Sequence, residues 1–246
     1  MKAFVRHTIS IAFLLLFAAV LFLIGRQRDN DRAMITCNGL KVDITETYRF
    51  VSEADVKGYL DKNYGAYIGQ RIDSLQLYRI EEILDRQSAI LKSEAYATDD
   101  GMLNIHITQR EPVVRFQKGD EGFYADANGF IFPLQSGYTS RVPIVDGDIP
   151  LKGGEDYINS VIAMLDFMKR SRVWSENIVQ IHADANGDLV LVPREGDERF
   201  IFGSPTGVAA KFSRIEDYYK YIKPSRDEGW YKTVNVKYDN QIICKR

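Results

Sequence analysis

One apolar stretch near the N-terminus, Ile9 to Gly25, constrains this chain more than any other feature, because nothing apolar and comparably long occurs again in residues 26–246. It reads ISIAFLLLFAAVLFLIG and carries no charge, which places it at the short end of the roughly 17–25 residues a bilayer-spanning helix needs. Lys2, Arg6, Arg26 and Arg28 flank it and can snorkel to the headgroups. It runs into Gly25-Arg26-Gln27-Arg28-Asp29 without the small-residue site of a cleaved signal peptide. The expectation is a retained transmembrane helix over 9–25, with residues 1–8 as a short cytoplasmic tail. Lys2 and Arg6 precede the span and Arg26, Arg28 and Arg32 follow it, so the positive-inside count is close to a tie. The short tail favours a signal anchor with the large C-terminal body exported.

With a formal net charge of −2 and pI near 6.0, the chain has no basic footprint for nucleic acid. Its 45% hydrophobic and 27% charged residues describe a globular body, not a disordered one. Cys37 and Cys244 lie near opposite ends of that body. They can bridge in an oxidising compartment, or serve as two small apolar residues on strands.

Residues 35 to 111 read strand, helix, helix, strand, strand. A strand runs from about Cys37 to Ile44. Ser52 then caps a helix through SEADVKGYL, with Asp55 three residues on as capping-box partner and Val56 and Leu60 turned inward. Asp73 or Ser74 opens a second helix, with Leu75, Tyr78, Ile83 and Leu84 on the buried face and Leu77 and Ile80 at its edges. Ala89–Thr98 and Met102–Arg110 form a hairpin about Asp99-Asp100-Gly101, with Leu103, Ile105 and Ile107 on one face. Glu111-Pro112 marks the boundary, since proline cannot donate within a continuing central strand.

The second half is richer in strands: Val113–Gln117, Gly122–Asp126, Phe130–Leu134, Val142–Val145, Ile178–Ala183, Leu189–Pro193 and Arg199–Phe202. A helix over Tyr157–Arg170 turns Ile158, Val161, Ile162, Leu165 and Met168 inward, and another spans Val208–Tyr221. Thr233–Tyr238 and Gln241–Cys244 close the chain as a hairpin. The fold class is α+β: a small three-stranded module, then an antiparallel sheet backed by two helices over 112–246.

No constellation of catalytic residues or metal ligands stands out, and no cofactor is expected. Asp-Ala-Asn-Gly occurs at Asp126–Gly129 and again at Asp184–Gly187, where Asp188 extends it to D-x-N-x-D. A calcium loop would place its glycine elsewhere and end on a glutamate, so both read as hairpin turns. Gly203-Ser-Pro-Thr-Gly207 lacks the Gly-Lys-Ser/Thr ending of a phosphate loop and reads as a strand-to-helix turn capped by Thr206 or Ser204. His106 and His182 have no metal-ligand spacing. The last forty residues place Trp230, Tyr231, Tyr238 and Ile242 near a terminal strand. Such a strand is either an inner, fully paired one or a sheet edge open to strand addition.

As a set, the single span, the strand-helix-helix-strand-strand module ending in Ile107-Thr-Gln-Arg-Glu-Pro112, the Gly122-Phe-Tyr-Ala-Asp-Ala-Asn-Gly-Phe-Ile-Phe132 segment, Val142-Pro-Ile-Val145 and the terminal Lys237-Tyr-Asp-Asn-Gln241 resemble the FtsQ/DivIB family of bacterial cell-division proteins over nearly the whole chain. The resemblance implies a POTRA-like domain over 33–111 and the family's β domain over 112–246. It implies a non-enzymatic divisome scaffold in the bacterial inner membrane, single-pass, with its body in the periplasm at the division septum. Expected partners are FtsB-like and FtsL-like single-span coiled-coil proteins, and indirectly FtsW/FtsI-like septal peptidoglycan synthases. The partner-binding positions it implies are Lys237, Tyr238, Asn240, Gln241 and Ile242, with Gln241 departing from the glycine of some members. Two other readings stay open: a POTRA-containing envelope assembly or secretion factor, and a membrane-anchored cell-wall enzyme, which would require a pocket of convergent polar groups.

Overall fold

A computed structural model describes residues 14–23, 35–45, 47–135, 137–150, 154–227 and 229–246. The chain separates into two compact units, Met1–Gln109 and Arg110–Arg246. Residues 14–23 are helical, and Leu14, Leu16, Phe17, Phe22 and Leu23 are exposed. No helix among the described residues is long and apolar enough to cross a membrane. The rest of the expected span, residues 9–13, 24 and 25, lies outside the described residues, as does the expected cytoplasmic tail, 1–8.

In the first unit, β1 (Gly39–Ile44), β2 (Ile90–Ala97) and β3 (Met102–Gln109) form a sheet of order β1-β3-β2. β1 runs parallel to β3 and β2 antiparallel to it. Between β1 and β2 come α1 (Glu53–Asn63) and α2 (Leu77–Asp85), giving the expected βααββ order. Ser52 and Asp55 make the reciprocal capping box: the Asp55 amide donates to Ser52 Oγ at 3.2 Å and the Ser52 amide to Asp55 Oδ2 at 2.9 Å. Val56, Leu60, Ile80, Leu84, Leu103, Ile105 and Ile107 form the core.

The second helix corrects the sequence reading. A 3₁₀ turn occupies Ile72–Ser74, and the α-helix starts only at Leu77. The buried stripe is therefore Ile80, Ile83 and Leu84. Tyr78 stands two residues, or about 200° of helical rotation, from Ile80 and is 79% exposed instead of buried.

In the second unit nine strands form one sheet: β4 (Pro112–Lys118), β5 (Glu121–Asp126), β6 (Ile131–Pro133), β7 (Ile144–Gly147), β8 (Ile178–Ala183), β9 (Leu189–Pro193), β10 (Arg199–Gly203), β11 (Thr233–Asn235) and β12 (Ile243–Lys245). Their order is β12-β11-β10-β9-β8-β7-β4-β5-β6. The sheet is mixed, not antiparallel as expected: β4–β7, β7–β8 and β10–β11 are parallel. For β7–β8 and β10–β11 the cause lies in the connections. Between β7 and β8 come α3 (Glu155–Arg170) and α4 (Arg172–Asn177), and between β10 and β11 comes α5 (Val208–Asp217). A helical crossover returns the chain in the direction it left. The short α4, which buries Trp174, had no periodic signal in the sequence.

Pro112 opens the central strand β4 as its first residue, where the missing N–H does least harm. From α3, Ile158, Val161, Leu165 and Met168 are buried as expected, together with Met164, and Ile162 packs at the core's margin. Phe212 of α5 joins the layers, with ring centroids 4.7 Å from Trp174, 5.2 Å from Phe202 and 5.5 Å from Phe167. Each such ring contributes about 1.5–3 kcal/mol by burial. After Asp217 the helix widens into a π turn, Tyr218–Ile222, then tightens to 3₁₀ at Lys223–Ser225. Gly207, at φ 61°, occupies the N-cap of α5, so neither Thr206 nor Ser204 caps it; their hydroxyls bond each other at 2.8 Å.

Both Asp-Ala-Asn-Gly segments are the same hairpin turn. Asp126 Oδ1 accepts from the amides of Asn128 and Phe130 at 2.9 and 3.0 Å, and Asp184 Oδ1 from those of Asn186 and Asp188 at 2.8 and 3.0 Å. Gly129 and Gly187 follow at φ 79° and 78°, the left-handed region that glycine enters without strain. Both cysteines are free, Cys37 buried before β1 and Cys244 half-buried on β12.

Candidate docking edge

The end of the chain builds one margin of the nine-stranded sheet. Val234 and Val236, both fully buried, anchor β11 to the core beside Phe200 and Phe202. Arg199 N donates to Lys232 O at 2.9 Å and Val236 N to Ile201 O at 3.0 Å, so Val234 between them bonds to β10, while Lys232 N donates to Lys245 O of β12 at 2.8 Å. The odd-numbered residues, Thr233 and Asn235, face Lys245 and Ile243 of β12. Ladder alternation then directs the N–H and C=O of Cys244 away from the sheet. β12 ends the strand order, so these groups form its open margin.

Between β11 and β12, residues 236–242 form a turn held from beneath. Arg214 of α5 donates from Nε to Val236 O at 3.0 Å and places NH1 3.5 Å from Asp239 Oδ1. Lys237 N donates to Asn235 Oδ1 at 2.9 Å. Lys237 Nζ bonds Asp188 Oδ2, and that carboxylate raises the ammonium's pKa above its ordinary value. The Lys237 stem lies against Gly203, where a Cβ would come 2.6 Å from Lys237 Cγ at a backbone φ of 77°. Asn240 takes φ 58°, a left-handed conformation that asparagine adopts most readily among non-glycine residues.

The five positions singled out in sequence thus divide. Tyr238, Asn240 and Gln241 are exposed on the turn. Lys237 is half-buried and engaged with Asp188, its Nζ 6.0 Å from the Tyr238 ring centroid. Ile242 is half-buried against the core. Beyond them, Arg246 stacks on Trp230 at 3.8 Å, with Arg226 at 5.7 Å. Sequence reasoning missed Arg214 and Asp188. Asp188 was visible in D-x-N-x-D, but its partner lies 49 residues away, and nothing local joins the two.

Besides Lys237, three tyrosines and a lysine of the second unit have displaced pKa values. Burial, then Asp184 and Asp188, pushes Tyr157 up to about 12. Burial, then Glu198, pushes Tyr218 up to about 12 and raises Tyr219 as well. Burial, then Arg214, lowers Lys211, whose Nζ donates to Ser204 O at 2.7 Å. None of these lines the cleft of Pro224, Ser225, Arg226, Asp227 and Trp230. Among the described residues no group of three or more acidic, histidine or cysteine side chains is arranged to hold a metal ion.

The chain is thus a βααββ module followed by a strand-rich unit with β12 at one margin of its sheet. The description "POTRA-like domain" matches residues 35–108, and "FtsQ/DivIB, C-terminal related" matches residues 111–245. The chain belongs to the FtsQ/DivIB family. That makes it a division-associated protein, and both matched families are typically non-enzymatic. No curated protein matches the sequence.

Proposed function

We propose that this protein is a non-enzymatic, membrane-anchored scaffold of the division machinery, and that the β12 margin receives an extended segment of an FtsB-like single-span protein, with an FtsL-like protein alongside. Through them it organises septal peptidoglycan synthesis by FtsW/FtsI-like enzymes. The observation that carries the reading is the position of β12 at the end of the sheet order in the unit that matches the FtsQ/DivIB family. Strand addition there would take affinity from the outward N–H and C=O of Cys244 and choice from Tyr238 and Gln241. The anchor reading is supported by the helical residues 14–23, whose apolar side chains are exposed.

Cys244→Pro tests this, because it removes the outward donor and leaves the acceptor. The full chain is co-expressed with the FtsB-like and FtsL-like proteins of its source and co-purified. Cys244→Pro should abolish co-purification while circular dichroism stays unchanged. Tyr238→Ala should weaken binding by on the order of 2 kcal/mol, roughly thirtyfold in Kd. Wild-type retention of both proteins by a folded Cys244→Pro chain would refute the docking edge.

A further inference from the structure

The first unit contains a contact that the docking reading leaves unused. β2 ends its own sheet, and at eight residues it is far longer than β12. A strand of that kind with bare N–H groups invites pairing with a passing chain. Thr98 N donates to Met102 O at 3.0 Å, and the register pairs Tyr96 with Asn104, Glu94 with His106 and Lys92 with Thr108. The even-numbered residues therefore bond to β3, and Ser93 and Ala95 turn their amides outward. Neither amide is bare. Ser93 N donates to Asp85 Oδ1 at 2.7 Å, and Ala95 N to Glu81 Oε1 at 2.8 Å. Ser93 Oγ adds a bond to the same Asp85 oxygen at 2.7 Å.

The fit follows from two repeat lengths. Residues four apart on a helix are separated by about 6 Å along its axis. Alternate residues on a strand are separated by about 6.6 Å. Glu81 and Asp85 on α2 therefore match Ala95 and Ser93 on β2, in opposite order because helix and strand are joined by the short segment 86–89 and run antiparallel. Ile80, Ile83 and Leu84 fill the core from the same helix, which places the two carboxylates beside the strand instead of over it.

We propose that Glu81 and Asp85 are an edge guard: an internal, autoinhibitory pair of acceptors that occupies the strand-addition groove of β2 and closes the POTRA-like unit to backbone pairing. A second copy of this chain is the nearest competitor for that groove, because two guardless β2 strands can pair antiparallel with each other. The guard stands whether or not β12 docks a partner.

The test uses the full chain in detergent micelles and reads amide exchange by NMR and mass by sedimentation equilibrium. In Glu81→Ala the Ala95 amide should exchange about tenfold faster, and in Asp85→Ala the Ser93 amide likewise, with β3 amides unchanged. Glu81→Gln retains an acceptor oxygen and should restore slow exchange at Ala95, which loss of helix packing would not do. The double variant Glu81→Ala/Asp85→Ala should self-associate at concentrations where the wild type is monomeric. If Asp85→Ala disturbs the fold, Glu81→Ala alone still carries the exchange test and should show weaker self-association. Unchanged exchange at Ala95 in Glu81→Ala, or a folded double variant that sediments as the wild type does, overturns the proposal.

Discussion

Asp126 shows how much a single side chain can hold. It is almost fully buried, accepts two backbone amides through Oδ1, and takes Arg110 NH1 at 2.9 Å through Oδ2. The Arg110 guanidinium in turn lies 3.6 Å from the Phe130 ring centroid. Asp126→Ala removes a buried carboxylate paired with the partly buried Arg110, together with the turn's acceptor, and should cost about 3 kcal/mol. Asp126→Asn keeps the turn acceptor and should cost less, the two being compared by denaturant unfolding. Two tyrosines contribute to the dependence of stability on alkaline pH. Tyr157 and Tyr218 are raised in the folded chain from 10.0 to about 12. The unfolded chain therefore loses these protons first, so the stability they contribute is complete below pH 10 and is lost as pH rises toward 12. Tm should fall across that window. The Tyr157 hydroxyl is buried and makes no hydrogen bond, so Tyr157→Phe should leave stability at pH 7 equal or higher and shrink the alkaline loss. A Tyr157→Phe chain that falls as steeply as wild type between pH 10 and 12 would remove Tyr157 from this account.

Among the elements, what the sequence made legible followed periodicity and local chemistry. The Ser52–Asp55 capping box, the alternation of Leu103, Ile105 and Ile107, and both Asp-Ala-Asn-Gly turns depend on neighbours within a few residues, and all form as read. Misreadings arose where distant partners decide. The phase of α2 was set by a 3₁₀ turn with no sequence signature, which turned Tyr78 out and Ile80 in. Two of the parallel pairings were implicit in helices lying between strands, yet short strands read one by one suggest hairpins. Of the candidate docking edge, a terminal hairpin and its exposed Tyr238 were legible. The Arg214 and Asp188 supports were not, because they reach the turn from 22 and 49 residues away. The margins of the nine-stranded sheet also differ in kind. β6 ends in Pro133, which lacks a donor, whereas β12 contains no proline.

At the scale of the molecule, each unit has its own core: Leu60, Ile80, Leu84 and Ile105 in one, Phe116, Met164, Phe200 and Phe212 in the other. Ser52→Ala breaks the capping box and should cost about 1 kcal/mol. Calorimetry of the wild type should resolve two transitions, of which Ser52→Ala lowers one and Asp126→Ala the other. A single transition shifted by both variants would contradict separate cores. The tethered turn between β11 and β12 bears on the entropy of association. Fixing the backbone of one residue costs about 1–2 kcal/mol, and a loop ordered only on binding draws that sum from the affinity. Here Val236 O, Lys237 and Asp239 are already fastened by Arg214 and Asp188. On the docking proposed above, an incoming segment would have its own disorder to lose and little of the host's, so a receiving strand of only three residues would suffice.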